Sequence, residues 1–275
     1  VRNADIPDDG PQIPSDRTPG MALLVLSGSS GRVEHERARA LSRHGIAAWA
    51  VPWFGAPGLP PTPRRVPLDA LLSCLDRLAS IAPRIGVLGT SFGAEAALLL
   101  AVRDRRVDVV AALAPTAYVW ETADLSDADH PVRDAKWTWH GEPLPGMAYV
   151  DQTAGGDFPD ARSVHEASLA ACPDPAAYEI PVERIAARVL VAAGGDDRVW
   201  QATDFAERIV ARRRAAGLDT TYVVHPRAGH RVVLPGEQPA PDRPGFPRGG
   251  TPEADAEHGR ATLDALLTLE SRVVL

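Results

Sequence analysis

The chain has little of what several large protein classes require. It holds two cysteines in 275 residues. Cys74 falls in a predicted helix and Cys172 in an irregular stretch, a pattern that suggests neither a disulfide framework nor a metal site, so free thiols are expected. No run of lysines or arginines exceeds three, and the formal net charge is −7. The electrostatic footprint of a nucleic-acid binder is therefore missing. No uninterrupted apolar stretch is long enough to span a bilayer. Val1-Arg2-Asn3-Ala4-Asp5 lacks the apolar core of a signal peptide. The expectations are a cytoplasmic protein with no nucleic-acid or membrane partner, no cofactor and no metal. Neither an internal repeat nor an oligomeric state is legible.

What the chain does contain is an alternation of two kinds of segment. Residues 1–20 are rich in Pro and Asp and read as an N-terminal arm or edge segment, ahead of one domain over 21–275. Met21 to Ser27 reads as an apolar strand, Glu34 to His44 as a helix ending at Gly45, and Ile46 to Val51 as a second strand. After a Pro/Gly-rich loop, a helix is predicted from Pro67 to Ile81, then a strand at Arg84 to Leu88, a helix from Phe92 to Val102 and a strand from Val107 to Leu113. The later elements are strands at Ala187 to Ala193 and Thr220 to Val224 and helices over Gln201 to Ala216 and Glu253 to Leu269. Continuous apolar strands alternating with amphipathic helices imply an α/β fold, a mostly parallel sheet covered on both faces. A less regular insertion spans about 116–179.

The segment with most chemistry in it is Gly89-Thr90-Ser91-Phe92-Gly93. This G-x-S-x-G lies between a strand and a helix, the context in which a sharp turn pushes a serine Oγ out of the sheet. Ser91 is the candidate nucleophile. A serine needs an imidazole to take its proton and a carboxylate to fix that imidazole's tautomer. Both follow in the order Ser, Asp, His. The strand at Ala187 ends in Gly194-Gly195-Asp196-Asp197, and the strand at Thr220 is followed by His225-Pro226-Arg227-Ala228-Gly229-His230. The offset from Gly194 favours Asp197, with Asp196 as the alternative, read as a turn residue or helix cap. Position in the loop after Gly229 favours His230, with His225, which closes the strand, as the alternative.

The developing oxyanion needs two backbone N–H donors. One is expected from Phe92, next to the nucleophile. The other is expected from Ser27-Gly28-Ser29-Ser30-Gly31 after the first strand, with Ser29 favoured over Gly28. The insertion leaves after a strand that follows the elbow, so it reads as a lid. Its aromatics, Trp120, Trp137 and Trp139 with Tyr118 and Tyr149, read either as an acyl pocket or as the insertion's own small core.

Together SGSSG, Ala50-Val51-Pro52-Trp53-Phe54, GTSFG, Ile180-Pro181-Val182-Glu183-Arg184-Ile185, GGDDRVW, AGH and Gly249-Gly250-Thr251-Pro252 resemble the catalytic domain of acyl-CoA thioesterases and bile acid-CoA:amino acid N-acyltransferases. The resemblance spans roughly residues 20–270. It implies an α/β-hydrolase fold and carries the nucleophile onto Ser91, the acid onto Asp197 and the base onto His230. It also implies a small-molecule acyl thioester or ester as substrate. The chain departs from the family in lacking room for an N-terminal β-sandwich, in having serine where the acyltransferases have cysteine, and in its insertion. A CoA leaving group would need cations, and Arg64 and Arg65 sit unfavourably near a predicted helix N-terminus, as a phosphate site or as a solvated pair. Three other readings stand beside thioester hydrolysis. They are a carboxylesterase or lactone hydrolase, an acyltransferase or cyclase, and a catalytically silent binding module on a hydrolase scaffold.

Overall fold

The computed structural model describes residues 9–124, 132–151, 160–238 and 244–271. Its main sheet has six strands, β1 (Met21–Leu26), β2 (Ala47–Val51), β3 (Arg84–Thr90), β4 (Val107–Leu113), β5 (Arg188–Gly194) and β6 (Thr220–His225). They lie in the spatial order β6-β5-β4-β3-β1-β2, and every neighbouring pair is parallel. The helices are α1 (His35–Arg43), α2 (Leu72–Ala79), α3 (Phe92–Arg103), α4 (Ala161–Ala171), α5 (Ala202–Ala215) and α6 (Pro252–Ser271).

The continuous apolar strands follow from burial on both faces. In β1 the alternation of side chains sends Ala22, Leu24 and Leu26 into one core and Met21, Leu23 and Val25 into the other. The first core also holds Leu75 and Leu78 of α2, Leu98 of α3 and Phe205 and Ile209 of α5. The second holds Leu41 of α1 and Leu263 and Leu266 of α6. Strand order reverses between β1 and β3, since the chain runs outward from β1 to β2 and then back to β3. The carboxyl ends of β1 and β3 therefore flank a topological switch point, where open α/β sheets bind ligands. Of the expected N-terminal arm, Gln12 forms an antiparallel bridge to Ala48 at the β2 edge; residues 1–8 lie outside the described residues.

Two expectations are adjusted. The helix predicted from Pro67 is instead a short extended pair, Val66–Pro67, then a 3-10 turn over Leu68–Leu71, and only then α2. Val66 and Pro67 are held extended by parallel pairing with Trp137 and Thr138, seventy-one residues away, a partner no local pattern reveals. That pairing also makes the stretch 116–179 less irregular than its sequence suggests. Glu121–Asp124 pairs antiparallel with Val132–Ala135, Trp137–Trp139 pairs with Glu142–Pro143, and α4 starts at a reciprocal cap in which Asp160 accepts from the Ser163 N–H at 2.9 Å.

His258 of α6 is fully buried, and burial holds its imidazole down to about 4, outweighing the Val223 carbonyl that favours the cation. The unfolded chain binds this proton near the ordinary histidine value and the folded chain does not. Stability therefore falls as pH drops from about 6.5 toward 4. Urea unfolding at pH 7.5 and pH 5 should show that His258→Leu loses about 2 kcal/mol less over that interval than the parent chain. An unchanged difference would show that His258 does not titrate on unfolding.

Candidate active site

Ser91 sits between β3 and α3 with φ 59° and ψ −121°, a conformation that a non-glycine residue adopts only under constraint. The constraint comes from its neighbours. A Cβ on Gly89 would lie 1.9 Å from the Gly93 carbonyl oxygen, and one on Gly93 would lie 2.4 Å from that of Ser27. Strand, helix and the loop after β1 thus touch backbone to backbone, and the turn has no other course. The Ser91 N–H donates to the Leu113 carbonyl at 2.9 Å, which fixes the turn to the end of β4. Arg37 of α1 reinforces it from the other side. Its guanidinium donates to Thr90 Oγ1 at 2.6 Å, to the Val232 carbonyl at 2.6 Å and to Glu237 at 2.6 and 3.0 Å.

The loops after β5 and β6 carry Asp197 and His230, the candidate acid and base. Asp197 is fully buried, and its Oδ2 accepts from His230 Nδ1 at 2.7 Å. Its Oδ1 accepts from the Val199 and Trp200 N–H groups at 2.7 and 3.1 Å, so both carboxylate oxygens have donors. The carboxylate holds the imidazole in one tautomer and leaves Nε2 to accept a proton. Asp196 points elsewhere. It accepts from Arg198 Nε at 3.0 Å and from the Gly250 N–H at 2.9 Å, tying the GGDDRVW loop to the late GGTP segment. His225 pairs with Glu257 of α6 at 3.1 Å. The His230 N–H donates to the Arg248 carbonyl at 2.8 Å, so three motifs distant in sequence form one fastened corner.

Ser91 and His230 line one cavity of about 410 Å3, together with Gly28, Ser29, Val199 and Phe246. That volume suits a small organic ligand. Phe92 is the first residue of α3, so its N–H has no acceptor four residues back in the helix. The Ser29 loop is held close by the Pro52-Trp53-Phe54 segment. Trp53 Nε1 donates to the Ser27 carbonyl at 2.9 Å, and the Phe54 ring packs against Gly31.

The expected pocket residues stand apart from this cavity. Trp120 and Trp137 are fully buried, and their indole N–H groups donate to Thr116 Oγ1 at 2.9 Å and Glu95 Oε1 at 2.7 Å. Trp139 is half-buried beside the Arg103 guanidinium. None of the three lines the cavity. Trp120 and Trp137 belong to the core, where their indoles satisfy polar groups behind α3, and Trp139 packs against that core. Arg64 and Arg65 also lie outside the lining. Both donate to Asp134, at 2.9 and 2.8 Å, and the hydrogen bond from Arg65 holds that carboxyl down to about 2.

Sequence reasoning missed the group behind the elbow. Glu95, one turn along α3 from Ser91, is fully buried and bonded to the equally buried Lys136 at 2.9 Å. Its Oε1 also accepts from the Trp120 N–H at 3.2 Å. Burial pushes Glu95 up and Lys136 down to about 8, each toward its neutral form, while their mutual bond opposes this. His165 of α4, stacked edge-on to Trp200, is pressed down to about 4 by burial. One signal was available: Lys136 is the only lysine in the chain.

Residues 72–239 match the family described as BAAT / Acyl-CoA thioester hydrolase C terminal. Acyl-coenzyme A thioesterase 1 of Homo sapiens is 25% identical over 232 residues, 81% of this chain and 51% of that protein. The chain spans about half the length of the curated relatives it matches. Among solved structures, a protein described as a dienelactone hydrolase from Klebsiella pneumoniae subsp. pneumoniae aligns with TM-score 0.55 at 16% identity, covering 95% of this chain and 91% of that one. Est1E from Butyrivibrio proteoclasticus with ferulic acid bound aligns with TM-score 0.56 at 15% identity, covering 96% and 95%. At these identities the structural likeness establishes the fold, α/β-hydrolase, and nothing finer.

The two aspartates make a direct test. Asp197→Asn should lower kcat by about 10³ to 10⁴ with little change in melting temperature, because the amide can hold His230 in the wrong tautomer. Asp196→Asn should cost far less in rate. Equal losses in the two variants would remove the distinction drawn here.

Proposed function

This chain belongs to the BAAT / acyl-CoA thioester hydrolase C-terminal family, and from that membership and the geometry of its site we propose that it hydrolyses an acyl thioester through a serine-bound acyl-enzyme. The observation that carries the reading is the 2.7 Å bond from His230 to Asp197 at the wall of a cavity that His230 shares with Ser91.

His230 Nε2 takes the Ser91 proton as Oγ attacks the thioester carbonyl. Negative charge develops on the carbonyl oxygen, and the N–H groups of Phe92 and Ser29 receive it there. The imidazolium is steadied by Asp197 and gives its proton to the departing sulfur. Water, deprotonated by the same imidazole, then attacks the acyl-enzyme and releases the acid. The strained Ser91 backbone keeps Oγ presented throughout, so no reorganisation is required at the moment of attack.

The insertion over 116–179 is proposed to cover the acid side of the site. What supports this is α4, whose Arg162 side chain donates to the Asp197 carbonyl at 3.1 Å and whose backbone N–H at Arg162 donates to the Arg198 carbonyl at 3.1 Å. The parts of that cover at 125–131 and 152–159 lie outside the described residues.

The test is the acyl-enzyme itself. Incubation with a mixed panel of acyl thioesters and oxoesters, followed by mass spectrometry, should find the acyl group on Ser91, with thioesters turned over faster than the matched oxoesters. Ser91→Ala should abolish labelling by a fluorophosphonate and lower turnover by about 10⁴ to 10⁶. Labelling that persists in that variant would sink the nucleophile assignment, and faster oxoester turnover would replace the thioesterase by a carboxylesterase.

A further inference from the structure

The only lysine in the chain is also among its most buried residues. Every other cationic side chain is arginine or histidine, so Lys136 occupies a place that arginine, otherwise used throughout, does not fill. The place is small and directed. Lys136 Nζ lies 2.9 Å from Glu95 Oε2 and 3.3 Å from the centroid of the Phe92 ring, near enough for the ring face to act as a partner of the ammonium. The Phe92 ring in turn packs at 5.7 Å on Trp200, whose ring lies 5.4 Å from that of His230. A guanidinium is larger, planar and forked, and with no exposed surface at either partner it would have nowhere to extend.

We infer that Lys136 is a positioning residue of the active site: anchored by Glu95, its ammonium holds the Phe92 ring and thereby fixes the backbone N–H of Phe92 on the oxyanion. The inference rests on the proposed acyl-transfer function. Three facts support it beyond the ring contact. Glu95 is on the same helix as Phe92, less than one turn further on, so the anchor and the group it positions share one rigid element. Two other donors, Trp137 Nε1 and the Trp120 N–H, hold the Glu95 carboxylate in place. The Lys136 backbone is itself fixed, its carbonyl accepting from the Val66 N–H at 2.8 Å. A charge pair used only to fill space would not need every partner immobilised.

The test avoids leaving one charge buried alone. Glu95→Gln with Lys136→Met keeps the acceptor for the two tryptophans, keeps volume, and removes both charges together. Saturation kinetics of Ser91 phosphonylation by a fluorophosphonate need no knowledge of the natural substrate, and the attack places charge on the phosphoryl oxygen as fluoride leaves. The expected result is a maximal inactivation rate at least about tenfold slower, with the half-saturation concentration within about threefold and a melting temperature close to that of the parent chain. Phe92→Leu, which removes the ring without touching the ion pair, should slow the same step, and the triple variant should be no slower than the worse of the two. A parental inactivation rate in the Gln/Met variant overturns the inference. So do additive losses with Phe92→Leu, and a parental rate in Phe92→Leu alone overturns it if the paired variant fails to fold. Labelling that survives Ser91→Ala would instead overturn the underlying function, and the inference with it.

Discussion

Three stretches of backbone meet around Ser91 with no side chain between them, and the rest of the site is arranged around that contact. The end of β3, the first turn of α3 and the loop after β1 approach so closely that a methyl group on Gly89 or Gly93 would overlap a carbonyl. This is what keeps Ser91 at a positive φ that it would abandon in a looser structure. Local strain of this kind costs on the order of 1–3 kcal/mol and persists only where packing over-determines it. Here the packing is supplied by both cores of the sheet, since β1 and β3 are central strands buried on both faces. The same device recurs at the acid and base, where a Cβ on Gly229 would lie 2.2 Å from the Gly249 carbonyl oxygen. Ser91 and His230 are thus each flanked by a weld of bare backbone.

Between these welds the chain uses buried cations as fasteners. Arg213 of α5 is buried and donates to the carbonyls of Val182 and Ile185 at 2.9 Å each and to that of Ala187 at 3.1 Å, gathering the IPVER segment against the start of β5. Its partners are chiefly neutral oxygens, and burial lowers its proton affinity. Arg37 is the contrasting case: burial lowers its affinity too, but Glu237 outweighs that and raises it. Lys136 falls between, paired to a carboxylate that is itself desolvated. Such groups add little net stability compared with an apolar replacement, yet removing one partner leaves a charge or several carbonyls stranded. Their common effect is geometric, since each ties together segments distant in the chain.

The fold was legible because its signal is local. Strands buried on both faces read as unbroken apolar runs, and the helices between them carry an amphipathic stripe, so the alternation and the sheet class followed from sequence with boundaries displaced by a residue or two. The order of Ser91, Asp197 and His230 was legible for the same reason, each lying just after a strand that could be located. What was illegible is non-local. The pairing of Val66 with Trp137 turned an expected helix start into extended chain. The tryptophans of the insertion looked like a pocket because composition cannot say whether an indole faces a ligand or the underside of a helix. Glu95 and Lys136 were invisible for a further reason: two charged residues forty-one positions apart give no sign of each other until the chain is folded.

The buried tryptophans leave the cavity beside Ser91 to other segments. With Trp120 and Trp137 committed to core hydrogen bonds, the wall of the cavity beside Ser91 comes from the loop after β1, the start of α1 and the segment following His230. The loop after β1 is held from behind by Trp53, while Arg37 and Glu237 stand in the cavity wall and bond each other there. Arg37, which also bonds Thr90 beside Ser91, therefore ties the cavity wall to the serine turn. Ser30, Arg32, Val233 and Phe246 line this cavity without taking part in the backbone contact around Ser91. The turn at Ser91 is constrained by the contact of three backbones, and the cavity wall by side chains that the contact does not involve.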